Sequence, residues 1–394
     1  MISFYHYRGM NTCYADWAAT SPTDSLVLQA SEETAREYPA NPSSSHTLGR
    51  SASRRLKELR SSIASMTGCS DKHIVFTSGG SESNSLVLTS LYWKKRPGSV
   101  VIPGIEHPSV REYIPFLERL GFTIVPLSAP SGLIDPEALA DAVTDTTDLV
   151  CLNAIHNVSG AVQDLTALVE AVRRRERRRV HIHVDAVQAL GKIPVALKRL
   201  DIDSASFSAH KFSGPRGVGF LYTRKPLHPL GSGGGQESGQ RGGTENLPGI
   251  AGMVRAMELH HGNWDTFLQQ MEAFRKLFFS MVKDAPVMMM QDSNRMDRYA
   301  PHIMLVSVSP IPSEVALRML QDRGCYLSAG SACSSRTARK REHVLTSMGF
   351  SSKIASGALR ISFGYTTTEA EVRYLAETLL EVTTQLQSVL PHRT

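Results

Sequence analysis

Short apolar runs alternate with segments of helical spacing through the first two-thirds of the chain. "IVFTSGG" gives way to "SESNSLVLTSLYW", "SVVIPG" to "PSVREYIPFLERL", "TIVPLS" to "PEALADAV" and "DLVCLNAI" to "LTALVEAV", before "VHIHVDA" closes the series. That order is the βα alternation of a mostly parallel sheet with helices packed on its faces. Two further runs, "ASFSAH" and "GVGFLYT", bring the strands to seven. After about residue 262 the pattern turns helix-rich, with isolated strands at "HIMLVSVS" and "ALRISFG". The expected architecture is α/β: a mostly parallel seven-stranded sheet with helices on both faces over residues 21–261, and a smaller α+β domain from residues 1–20 and 262–394. Ligands of such sheets collect beyond the C-terminal ends of the strands.

Composition adds to this picture in three places. A length of 394 residues exceeds one compact domain and agrees with two. No stretch approaches the roughly 18 consecutive apolar residues of a membrane span, and the start, "MISFYHYRGMNTCYADW", lacks a basic region followed by an apolar run. Cys13, Cys69, Cys151, Cys325 and Cys333 are an odd, scattered set without a CxxC pair, which argues against a disulfide framework and a structural zinc site. A reducing cytoplasm is therefore the expected compartment. The formal charge is +6, and "RRRERRR" at residues 173–179 accounts for five of those charges. It follows the helical "DLTALVEAV", where the helix dipole favours cations, so it reads as a solvated helix end. Neither a membrane nor direct nucleic-acid binding is expected.

Several strand–loop junctions carry polar residues that are odd choices for a core. "FTSGGSES" sets Gly79, Gly80 and Ser81 between a strand and a helix, which suits an anion at a helix N-terminus. A simple helix cap explains the same residues. "HIHVDAVQ" puts His181, His183 and Asp185 at period two, on one face of a strand. Read as metal ligands, the set lacks a histidine after the aspartate, where Ala186 stands, and has no second cluster. Read otherwise, Asp185 is a strand-end carboxylate that pairs with a protonated ring nitrogen, as a pyridoxal phosphate site requires. In "SFSAHKFSGPRGVGF", Lys211 follows a strand, with Ser208 and His210 beside it as partners for a phosphate. A lone lysine there is ordinarily solvated; beside Asp185 it suits a Schiff base with an aldehyde cofactor. "GSGGGQESGQRGGTEN" at residues 231–246 reads equally as a linker or, through Arg241 and Thr244, as a clamp over a neighbouring subunit's phosphate. Cys333 lies in "LSAGSACSSRTARKR", among small residues and ahead of Arg336, Arg339, Lys340 and Arg341, whose charge favours a thiolate. The other four cysteines read as small buried residues. Arg360 ends the alternation of "ASGALRISFG" and offers either a fork for a carboxylate or a salt bridge.

Assembled in this order, the sequence resembles the NifS/IscS-like cysteine desulfurases, in class V of the fold type I pyridoxal phosphate enzymes. The similarity runs from "YADWAATSP" through "NPSSSHTLGR", "TSGGSESN", "EHPSV", "HVDAVQALGK", "SAHKFSGPRGVG", "GGGQESGQRGGTEN" and "GSACSS" to "LRISFG". The resemblance implies a homodimer in which Lys211 carries pyridoxal 5'-phosphate and later moves protons. It implies His107 stacked on the cofactor ring, Asp185 on the ring nitrogen and Gln188 on the phenolate oxygen. The phosphate would be held by Gly80, Ser81, Ser208 and His210, with Thr244 reaching across from the other subunit. Asn157 and Arg360 would bind the carboxylate of L-cysteine. Cys333 would take its sulfur as a persulfide, release alanine, and pass the sulfur to a protein acceptor such as an iron–sulfur scaffold or another carrier.

The chain departs from the family pattern at Trp17, where a polar residue is usual, and an altered pocket wall near the substrate is expected from it. "HNVSG" stands where "NNEIG" or "NNETG" is common, so Val158 and Ser159 change the surroundings of Asn157. Ser81 replaces a threonine and keeps the hydroxyl. The basic "RTARKR" is expected to guide an acidic acceptor face or tRNA to the cysteine. Rival readings are a selenocysteine lyase, a class V aminotransferase or lyase in which Cys333 is incidental, and a degenerate paralogue that only scaffolds a sulfur-transfer complex.

Overall fold

The computed structural model describes residues 12–231, 233–330 and 344–389. After the short strand β1 (Cys13–Tyr14), seven strands build the large sheet: β2 (Ile74–Thr77), β3 (Ser99–Pro103), β4 (Thr123–Leu127), β5 (Thr147–Asn153), β6 (His181–Asp185), β7 (Ser204–Ser208) and β8 (Gly219–Thr223). Their order is β2-β8-β7-β6-β5-β3-β4. Pairing is parallel from β4 to β7, while β8 runs antiparallel to both neighbours, so the sheet is mixed with one reversed strand. Every residue of β2, β3, β5, β7 and β8 is buried, as in a sheet covered on both faces. β4 is partly exposed and carries Pro126, which an edge strand tolerates because one side of its ladder is unused. The reversal of β8 matters for chemistry. Antiparallel strands need no long crossover, so the connection from β7 to β8 is a tight loop that holds Lys211 at the C-terminal edge of the sheet.

A second sheet is formed by β9 (Met288–Met289), β10 (Ile303–Ser307), β12 (Ser328–Ala329) and β13 (Ala358–Ser362), in the order β12-β13-β10-β9, and β11 (Cys325–Tyr326) pairs with β1. Phe267, Met271, Phe274 and Phe278 of the helix Trp264–Met281 meet Val372, Leu375 and Leu379 of the helix Glu369–Val389 in its core. Their spacing of three and four is the buried stripe of an amphipathic helix. The chain start is tied in by Ala15, which donates to the Tyr326 carbonyl at 2.8 Å and accepts from Ser362 N–H at 2.8 Å.

Three expectations meet a more specific outcome. The arginine run at residues 173–179 is not simply solvated. Arg174, Arg175, Arg177 and Arg178 pair with Glu137, Asp141, Asp145 and Asp148, while Arg173 and Arg179 both grip Asp201 and Asp203. Single exposed pairs add about 0–1 kcal/mol; each of these arginines has an acidic partner, with Asp148 shared with Lys94 and Asp201 and Asp203 with Arg224, while Arg174, Arg175 and Arg177 stay more than half exposed. The glycine-rich segment 231–246 is not a linker. The Glu237 carboxylate is buried, accepts from Arg60 at 2.7 Å on each oxygen and from Phe76 N–H at 2.8 Å, and so pins the segment to β2. Trp17 is absent from the cavity lining described below. Its ring lies on Gly364, where an added Cβ would come within 2.0 Å of it, and meets Tyr365 edge-on at 6.3 Å.

Candidate active site

The C-terminal ends of β3, β5, β6 and β7 open into one cavity of about 400 Å3. His107, Asp185, Gln188 and Lys211 line it, with Gly80, Ser81, Ser208 and His210 at one end and Asn157 at another. These residues are brought together from five separate motifs by the strand order. The Lys211 amine donates to the carbonyls of Ala18 at 2.8 Å and Ala19 at 2.7 Å, which hold it at the cavity wall.

Asp185, the last residue of β6, is buried and accepts from Val187 N–H at 3.1 Å and from Asn84 Nδ2 at 2.9 Å. Asn84 also donates to Ser109 Oγ at 2.8 Å, so its own oxygen is an acceptor, filled by His183 Nε2–H at 2.9 Å. Ser204 Oγ donates to His183 Nδ1 at 2.8 Å and accepts from His181 Nε2–H at 2.8 Å. The HxHxD stripe is thus a hydrogen-bonded chain ending on Asp185. It fixes one carboxylate oxygen and leaves the carboxylate facing the cavity. Among the described residues, no group of three or more His, Cys, Asp or Glu is placed to hold a metal ion. Ser109 extends the same network to His107, whose Nδ1 accepts from Ser109 N–H at 3.1 Å and lies 2.8 Å from Ser109 Oγ. Its proton in the neutral state therefore sits on Nε2. Burial lowers the His107 pKa, and the nearby Asp185 partly opposes that.

The chain on Asp185 gives the protein an acid sensitivity. Burial pushes fully buried His183 down to about 3, helped slightly by His181. An unfolded histidine titrates near pH 6.5. Between those values the unfolded chain binds a proton that the folded chain refuses, so stability is full above about pH 6.5 and is lost as pH falls toward 3. For His183→Gln, the fall in unfolding free energy with acid over pH 4–6.5 is expected to be shallower by about 1.4 kcal/mol per pH unit, one proton's worth. Thermal unfolding with calorimetric enthalpies reads this; an unchanged slope would contradict it.

The opposite end of the cavity suits an anion. The helix Gly80–Ser90 begins there, and its first N–H groups have no intrahelical acceptor. Gly79 has φ 145°, which favours glycine, and a Cβ on Gly80 would come within 2.4 Å of Val187 Cγ2. Two glycines therefore keep this floor open. Ser208 and His210 complete it. Burial, then Lys211 and Lys192, lower His210 to about 4, so a neutral imidazole stands there. Arg241 is held back from this corner by Glu82, 2.9 Å from its Nε. Thr244 is exposed, outside this chain's cavity, and accepts from Asn41 Nδ2 at 3.3 Å.

Arg360 is 1 % exposed and packs behind Asn157. One Nη donates to the Asn157 carbonyl at 3.0 Å, the other to Asp16 Oδ1 at 2.8 Å, and Nε is left without a partner. Asn153 Oδ1, Glu106 Oε2 and His156 Nε2 are likewise buried without partners. Burial, reinforced by Asp185, pushes Glu106 up to about 8, so it is largely a neutral acid at pH 7. Such orphaned atoms are rare in native interiors unless water or a ligand meets them. Ser159 caps His156, with Oγ 2.9 Å and N–H 3.3 Å from Nδ1, which is what the departure at "HNVSG" builds. Cys333, like Arg336, Arg339, Lys340 and Arg341, lies outside the described residues. The sequence reading missed Asn84, Ser109, Glu106, Asn153 and Lys192. All of them stand inside segments it quoted; what identifies Asn84, Ser109, Glu106 and Asn153 is a hydrogen-bond partner distant in the chain, whereas Lys192 is marked by Gln188, four residues before it.

Comparison with known proteins agrees with this geometry. The family model described as aminotransferase class-V matches residues 13–375. Cysteine desulfurase IscS of Dictyoglomus turgidum is 34% identical over 385 residues, 96% of each chain. Putative cysteine desulfurase IscS 1 of Bacillus subtilis is 34% identical over 383 residues, covering 96% of this chain and 100% of its own. Among solved structures, a NifS-like protein superposes with TM-score 0.88 at 34% identity, over 96% of this chain and all of its own. SspA in complex with cysteine superposes with TM-score 0.76 at 30% identity, over 89% of this chain and 99% of its own. The fold, the arrangement of the cavity and these relatives together make the chain a member of the class-V aminotransferase family, on its cysteine desulfurase branch.

Proposed function

We propose that the protein is a pyridoxal phosphate-dependent cysteine desulfurase that converts L-cysteine to L-alanine, leaves the sulfur as a persulfide on Cys333, and passes it to a protein acceptor. The observation that carries this reading is the convergence of Lys211, Asp185, His107 and the open N-terminus of the helix Gly80–Ser90 on one cavity. An amine, a fixed carboxylate, an imidazole and an anion site match the aldehyde, ring nitrogen, ring face and phosphate of that cofactor, and the glycine floor leaves it room. When bound, it supplies the electron sink that weakens the bond between Cβ and sulfur.

This chain's residues supply the rest. Asp185 holds a proton on the ring nitrogen, and Gln188 donates to the phenolate oxygen. Gly80, Ser81, Ser208 and His210 hold the phosphate. The orphaned Nε of Arg360, together with Asn157, receives the substrate carboxylate. Lys211 and His107 move protons at the substrate carbons. Cys333 attacks the substrate sulfur: the Cβ–S bond breaks, an S–S bond forms, and the electron pair left on Cβ is protonated, which gives alanine without an external oxidant. Residues 21–261 form the cofactor-binding domain, and residues 1–20 with 262–394 form the small domain that carries the cysteine. The working unit is a homodimer. Exposed Thr244 and the exposed Leu26, Leu28 and Leu48 support it as surface left for a second copy.

The test is product release by the purified protein, loaded with the cofactor, from L-cysteine and from L-selenocysteine. Equimolar alanine and, with added thiol, sulfide from L-cysteine at comparable or better efficiency supports the reading. Release from selenocysteine alone makes the protein a selenocysteine lyase instead.

A further inference from the structure

Lys192 is an anomaly in the fold. It is 4 % exposed and stands one residue after Gly191, whose φ of 78° turns the chain back under the cavity. A Cβ on Gly191 would come within 2.7 Å of Tyr365 Oη and 3.0 Å of Phe212 Cβ. A glycine is thus required to deliver a buried cation here. The groups that face Lys192 are themselves basic: Lys211, Arg360, His210, His260 and His302. Burial, then Lys211 and Arg360, lower its pKa to about 7. The three histidines are kept neutral by burial, but burying a lysine near the cations Lys211 and Arg360 is unfavourable, and a methionine of similar volume would fill the space, so its contacts are informative.

Lys192 Nζ donates to Gln188 Oε1 at 3.0 Å. With its oxygen so engaged, the Gln188 amide turns its nitrogen the other way, and Nε2 donates to the Ala18 carbonyl at 2.8 Å. That same carbonyl accepts from Lys211 Nζ at 2.8 Å. Three hydrogen bonds therefore join Lys192 to Lys211 through Gln188 and Ala18. Gln188 Nε2 has a second hydrogen, and Gln188 lines the cavity. If the amide flipped, its oxygen would face both the Ala18 carbonyl and any anionic oxygen in the cavity.

We propose that Lys192 is a positioning residue that locks the Gln188 amide with N–H, not C=O, toward the cofactor's phenolate oxygen, and by this sets the cofactor's protonation. The proposal rests on the cofactor reading given above. Loss of Lys192 removes both the lock and a nearby positive charge, and each change favours the protonated cofactor. The pH midpoint of the bound cofactor's visible absorption rises by about one unit.

The experiment measures that midpoint in holoenzyme for wild type, Lys192→Met, Gln188→Leu and the double variant, with thermal melting as a check on folding. A raised midpoint in Lys192→Met that shrinks clearly in the Gln188→Leu background supports the proposal, the remainder being the charge effect. An unchanged midpoint, or shifts that add in full, overturns it. Lys192→Gln keeps an N–H donor without the charge: a midpoint back toward wild type supports the lock, and one equal to Lys192→Met overturns it in favour of charge alone. If Lys192→Met does not fold, the cycle is run with Lys192→Gln, with non-additivity and additivity read the same way. A wild type that takes up no cofactor overturns the cofactor reading itself, a result distinct from a wild type that titrates and a Lys192→Met that matches it.

Discussion

Lys211→Ala is expected to abolish alanine release from L-cysteine, by at least about 10^3-fold in kcat/KM, the scale lost when a positioned proton-transfer group is removed. The variant is also expected to lose the visible absorption of covalently held cofactor. No other described lysine can take its place: Lys192 sits behind Gln188, its amine spent on the Gln188 oxygen. Folding is expected to survive. The two carbonyls that lose a donor are those of Ala18, which keeps Gln188 as its partner, and Ala19, which lines the open cavity and can be met by water. The loss is then about 1 kcal/mol, the net worth of a typical hydrogen bond. Alanine release and the absorption spectrum of the purified variant check this. A variant that keeps a tenth of wild-type activity would remove Lys211 from the chemistry.

Much of the fold was legible because it is written locally. Most strands of the large sheet are short apolar runs, β6 (HIHVD) and β7 (SASFS) being the polar exceptions, and the switch to helical spacing marks the βα junctions. What local pattern cannot encode is which strands lie side by side. The period-two stripe at His181, His183 and Asp185 put three polar side chains on one face, and both histidines do share Ser204 Oγ. Whether that face held a metal or oriented a carboxylate turned on Asn84, 101 residues from Asp185 in sequence and 2.9 Å away in space. Likewise the arginine run announced its charge but not its partners, which come from segments on both sides of it. Trp17 stood where a polar residue is usual in the family pattern, so an altered pocket wall near the substrate was expected from it. Gly364 decides otherwise, because only a residue without Cβ leaves room for the indole behind it.

Cys333→Ala is expected to leave cofactor binding intact and to abolish both alanine and sulfide release, because no other thiol can stand in. Reactivity belongs to the thiolate, and burial raises the pKa of Cys13 and Cys151 well above the ordinary value and that of Cys325 to about 11. Cys69 is only partly buried, but burial raises its pKa too. The described chain before Cys333 is anchored next to Arg360. β12 pairs with β13 in a register that sets Ser328 opposite Arg360, and Ser328 Oγ donates to Asp16 Oδ1 at 2.8 Å, the same oxygen that Arg360 grips. Gly330 follows and donates to the Ala358 carbonyl at 2.7 Å. Product assays under added thiol, with the cofactor spectrum as a control for the site, read the outcome. Full alanine release by Cys333→Ala would mean that sulfur leaves without passing through that thiol, and the protein would then be a lyase on the same scaffold.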